Sequence, residues 1–81
     1  MEKNKLVVGK TYVVNLGYKY RGSKTKAIYK GARQLPVWDG TEELAIVAPV
    51  EVVTRRSKMV DYACKEHVNI LVEFGQILEE I

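Results

Sequence analysis

An 81-residue chain is long enough for one hydrophobic core and not for two. Its single cysteine, Cys64, excludes an intrachain disulfide, and Cys64 with the single histidine, His67, cannot complete a four-ligand zinc site. The formal charge of +3 hides an asymmetry: residues 1–33 carry nine bases and one acid, residues 34–81 four bases and nine acids, so one half should attract an anion that the other repels.

In chain order, Leu6-Val7-Val8 and Thr11-Tyr12-Val13-Val14 flank Gly9, which reads as a bulge or bend in one long strand. Gly17 and Gly22 bracket Tyr18-Lys19-Tyr20-Arg21, and Ser23-Lys24-Thr25 completes a polar loop. Lys26-Ala27-Ile28-Tyr29-Lys30 alternates polar and apolar residues, the period of a half-buried strand. Gly31 to Gly40 reads as a loop, with Pro36, Trp38 and the turn pair Asp39-Gly40. Glu43 to Val47 and Val50 to Thr54 read as strand on either side of Pro49, either an edge strand or two strands with a kink. Arg55-Arg56-Ser57-Lys58 is a turn.

The segment 59–75 supports two readings. Val60, Tyr62, Cys64, Val68, Ile70, Val72 and Phe74 alternate at period two, while Val60, Cys64, Val68 and Leu71 fit a helical stripe that Ser57 could cap. A strand is expected over 68–74, strand or short helix over 58–66, and one helical turn at the tail from Gln76 to Ile81. The fold class expected is mainly β, a small antiparallel barrel or bent sheet in one domain over 1–81, SH3-like first and OB-like second. The glycines and bases at 17–26 resemble, over about twenty residues and in part of the pattern only, the KOW type of SH3-like module.

The chain is expected not to be an enzyme. Cys64 and His67 would share a face only on a helix; the expectation is a small core cysteine and a surface histidine. Asp39, Glu42 and Glu43 are the densest acids, beside a turn where carboxylates are common on solvated surface. No phosphate-cradling loop, dinucleotide fingerprint or His-Glu-x-x-His motif is present. No cofactor and no metal are expected. No stretch approaches the roughly 20 apolar residues of a membrane span, and the unpaired cysteine suits a reducing compartment, so a cytoplasmic protein without a membrane partner is expected.

Binding is the expected function. Lys10, Tyr18, Lys19, Tyr20, Arg21, Lys24, Lys26, Lys30 and Arg33, with Tyr29 nearby, combine cations that neutralise phosphates with rings that stack on unpaired bases. Trp38, with Leu35, forms an apolar loop suited to anchoring a protein partner, or else folds back to plug a barrel end; Ile77, Leu78 and Ile81 could join a contact. The leading expectation is a protein-binding modulator or inhibitor of a larger cellular or host machine, of the kind phages encode. The alternative is a module for RNA or single-stranded nucleic acid using residues 10–33. A third reading is a pocket for a small anionic ligand or nucleotide at a dimer interface. Homo-oligomerisation would also relieve the shortage of core.

Overall fold

A computed structural model describes residues 1–81. The elements are β1 (Thr11–Asn15), β2 (Lys24–Val37), β3 (Gly40–Thr54), α1 (Met59–Glu66), β4 (Ile70–Val72) and β5 (Ile77–Glu80). Single 3-10 turns lie at Lys3–Lys5, Tyr18–Tyr20 and Phe74–Gln76. All pairings are antiparallel, in the order β4-β3-β2-β1-β5. The sheet keeps two free edges, β4 and β5, and does not close into a barrel.

Alternation builds the inner face. Thr25, Ala27 and Tyr29 of β2 are buried while Lys24, Lys26 and Ile28 are half-buried on the other face. Tyr12 and Val14 of β1 and Ala45 and Val47 of β3 continue the same face. Tyr12 and Tyr29 meet edge to face with ring centroids 6.4 Å apart, a favoured aromatic geometry. Val60, Ala63 and Cys64 of α1 pack on the core, as does Ile77 of β5.

Several expectations are overturned, each for a tertiary reason. The strand expected through Leu6-Val7-Val8 does not form. Gly9 (φ +93°) instead sits in a turn whose N–H donates to the Tyr29 carbonyl, and Val7 and Val8 are exposed. Residues 31–40 are not a loop: they extend β2 and β3 into a ribbon closed by Trp38-Asp39, with Val37 opposite Gly40. A two-stranded ribbon has no face in the core, so it need not show the period-two signature. A shift in register between Tyr29 and Gly31 (φ +115°) separates the sheet proper from this arm.

Residues 59–66 are helix, because the buried positions are Val60, Ala63 and Cys64 while Tyr62 is exposed. The Ser57 hydroxyl accepts a 3.3 Å bond from the Met59 N–H at its start. The strand expected over 68–74 shrinks to Ile70–Val72, with Phe74 in a 3-10 turn. The tail is β5, drawn into strand by pairing with β1, not a helical turn. Pro49 lies within one continuous β3, and β3 is interior rather than an edge. It is tolerated because β4 pairs only with Ala45, Ile46 and Val47, so no strand seeks a donor from its outer side. No helix is long and apolar enough to cross a membrane.

α1 ends at His67 in the left-handed conformation (φ 50°), its N–H donating to the Ala63 carbonyl. Glycine adopts that conformation without a Cβ penalty. His67→Gly is therefore expected to stabilise the fold by about 0.5–1 kcal/mol, read as a higher urea midpoint. A lower midpoint would mean that the imidazole supports the structure.

Candidate functional site

The residues between β1 and β2 form a tight loop. Gly17 (φ +86°) opens it, accepting at its carbonyl the N–H groups of Tyr20 and Gly22, while its own N–H donates to Asn15 Oδ1 at 2.8 Å. A Cβ at Gly17 would lie 2.8 Å from Gln76 Nε2. That amide donates to the Asn15 carbonyl at 2.9 Å, so a side chain at position 17 would have to displace it as well as adopt a left-handed backbone. Tyr20 turns inward and is buried, which forces its neighbours Tyr18, Lys19 and Arg21 outward. Tyr18 is 100 % exposed.

Ser23 ties this loop to a distant turn. Wholly buried, its hydroxyl donates to the Tyr20 carbonyl at 2.7 Å and accepts the Arg56 N–H at 2.9 Å. The turn from β3 into α1 is thereby held beside the 17–22 loop. Two adjoining open concavities result. One, of about 740 Å³, is lined by Asn15, Gly17, Tyr18, Lys19, Arg21 and Gly22. The other, of about 580 Å³, is lined by Lys19, Arg21, Arg56, Ser57, Lys58 and Met59. Lys19 and Arg21 belong to both, so together they form one cleft.

The cleft is uniformly basic. Lys19, Arg21, Arg56 and Lys58 are exposed, and none takes part in any of the four ion pairs of the chain. No acid lines either concavity. Like charges gathered this way repel one another and oppose compaction. Arg21 adds a local cost: it is left-handed (φ 54°, ψ 32°), where glycine or asparagine is at home and a long side chain is not.

The residues singled out from sequence separate into groups. Tyr18, Lys19 and Arg21 are in the cleft, whereas Lys24, paired with Asn15 and Thr54 in the sheet, lines neither concavity. Tyr20 and Tyr29 belong to the core and cannot stack on a ligand. Lys10 is paired with Glu80 at 3.1 Å and Lys26 with Glu51 at 3.2 Å. Lys30 and Arg33 are exposed but lie up β2 towards the arm. Of the cations of residues 10–33, only Lys19 and Arg21 line the cleft. Arg56 and Lys58 are the cleft residues that sequence reasoning took for a turn; the density of cations in Arg55-Arg56-Ser57-Lys58 was the available signal.

Trp38 does not plug the sheet. It is 101 % exposed at the arm tip, with Leu35 half-buried along the arm. Ile81 is remote from it, donating its N–H to the Thr11 carbonyl beside β1 at the far side of the sheet, so these three do not share a surface. Cys64 is in the core, and burial pushes its thiol up, away from the reactive thiolate; His67 is exposed at the helix end. Among the acids of the arm, Glu43 is held by Lys3 at 2.7 Å and by Gln34 at 3.3 Å. No three His, Cys, Asp or Glu side chains converge as a metal site would require.

Ser23→Ala removes both hydroxyl bonds and leaves the Arg56 N–H without its acceptor. A loss of about 1–3 kcal/mol is expected, measured by urea denaturation, with faster amide exchange at Arg56 than at β2. Unchanged exchange at Arg56 would mean that the two walls are joined by something other than Ser23. No protein-family model, curated protein or solved structure matches this chain.

Proposed function

We propose that this chain is a non-catalytic binding module whose basic cleft takes the backbone of RNA or single-stranded DNA. The observation that carries the reading is the convergence of Lys19, Arg21, Arg56 and Lys58, unpaired and without an acid among them, beside the fully exposed ring of Tyr18. Cations that neutralise phosphates supply affinity, and a free aromatic face supplies base stacking. The open shape suits a strand lying across the surface rather than a substrate enclosed from water. The strand order, with a one-turn helix ahead of the last strand, supports an SH3-like sheet left open between β4 and β5.

Titration of labelled single-stranded RNA, monitored by fluorescence anisotropy, tests the reading. With three or four phosphates neutralised, affinity should fall about 20- to 50-fold between 50 and 200 mM salt. Arg56→Glu and Lys58→Glu should weaken binding strongly, whereas the same change at Lys65, near the other end of α1, should not. Tyr18→Ala should cost roughly 1–3 kcal/mol of binding. Affinity that ignores salt, or equal effects at Lys58 and Lys65, would sink the assignment.

Arg21→Gly separates site from scaffold. Relief of the left-handed conformation should raise stability by about 0.5–1 kcal/mol while RNA affinity falls. A variant that gains stability and keeps full affinity would remove Arg21 from the site.

The exposed Trp38 favours a second reading, a modulator that docks its arm on a larger protein. In that case Trp38→Ala would weaken the captured complex more than any single lysine change.

A further inference from the structure

The cleft and the arm tip are the two ends of β2. Lys24 starts the strand directly after Ser23, whose hydroxyl holds the Arg56 side of the cleft, and Val37 ends it at the turn that carries Trp38. The ends differ in chemistry. At the tip, the Trp38 ring lies entirely in water, and Asp39 and Glu42 have no ion-pair partner. Outward from Arg33 and Leu44 the arm has no neighbouring strand on either side, since β1 pairs only as far as Ile28 and β4 only as far as Ala45. A lone ribbon of this kind is marginal in water, and its own chain offers nothing that covers the tryptophan.

We propose that a second copy of this chain covers it: the arm tip of one molecule seats in the basic cleft of the next. The inference rests on the reading of the cleft as an anion site. Charge complementarity selects the occupant, because Asp39 and Glu42 carry the sign that Lys19, Arg21, Arg56 and Lys58 lack. The ring finds suitable surfaces there, the free face of Tyr18 and the guanidinium of Arg21. A concavity of about 740 Å³ has room for an indole. The contact must form between molecules, since the arm cannot reach the opposite end of its own strand while the β2–β3 ladder holds. It is head-to-tail, so it extends into chains or closes into a ring. Arm and nucleic acid would compete for the same cations.

Sedimentation velocity on two variants tests this. Trp38→Ala with Asp39→Lys blocks the arm and leaves the cleft; Lys19→Glu with Arg21→Glu blocks the cleft and leaves the arm. All four positions are exposed, and circular dichroism checks that both variants fold. The wild type should associate with rising concentration, and less at high salt. Each variant alone should be monomeric, and their mixture should form a one-to-one dimer that grows no further. A wild type that stays monomeric into the low millimolar range would overturn the proposal, as would variants that self-associate like the wild type or a mixture without dimer. RNA binding at nanomolar protein separates the two readings. A mixed dimer without RNA binding removes the nucleic-acid function alone, and RNA binding without a mixed dimer removes the arm-in-cleft contact alone.

Discussion

The ladder between β2 and β3, running from Lys24 opposite Thr54 to Val37 opposite Gly40, is the constraint on which the remaining parts depend. Its lower half forms the sheet with β1 and β4; its upper half leaves the sheet as an arm. The two ends of the ladder become the two chemically distinct ends of the molecule. Where the ladder finishes at Lys24 and Thr54, the chain enters from Ser23 and leaves through Arg55 and Arg56. The Ser23–Arg56 hydrogen bond is in effect one more rung, made by a side chain after the backbone pairing stops. The cleft therefore follows from how the ladder is closed.

The same antiparallel pairing redistributes charge. The basic residues 1–33 and the acidic residues 34–81 do not become two opposed faces. Strand pairing interleaves them: Lys26 on β2 meets Glu51 on β3, Lys10 ahead of β1 meets Glu80 on β5, and Lys3 meets Glu43 on the arm. Exposed ion pairs of this kind add little stability. Their consequence lies in subtraction, since they neutralise cations that would otherwise extend the basic surface. Of the nine cations left outside ion pairs, four, Lys19, Arg21, Arg56 and Lys58, line one cleft with no acid among them, which concentrates positive potential there.

Local conformational cost is concentrated at the same place. Gly17 occupies a left-handed position where a side chain would meet the Gln76 amide, and Arg21 adopts a backbone conformation that suits glycine. Such costs persist where the surrounding structure over-determines them. Buried Tyr20 and buried Ser23 do so here, gripping the loop from below while Tyr18, Lys19 and Arg21 face outward.

Features whose physics is local were legible in the amino-acid order alone. The alternation around Ala27 and Tyr29 specified a half-buried strand, Asp39-Gly40 marked a reversal of the chain, and Gly17 and Gly22 bounded a loop bearing Tyr18, Lys19 and Arg21. The remaining features depend on contacts between residues far apart in the chain. The arm was hidden because a ribbon outside the core has no buried face to pattern. The helix at 59–66 was hidden because Tyr62 falls on the alternation by chance, and burial of Ala63 with Val60 and Cys64 settles the period. The tail became strand because β1 offered it an edge. Whether Trp38 plugs a core or stands in water depended on how far β2 and β3 stay paired. The union of Lys19 and Arg21 with Arg56 and Lys58 depends on a hydrogen bond between residues 33 positions apart, which leaves no local periodicity to read.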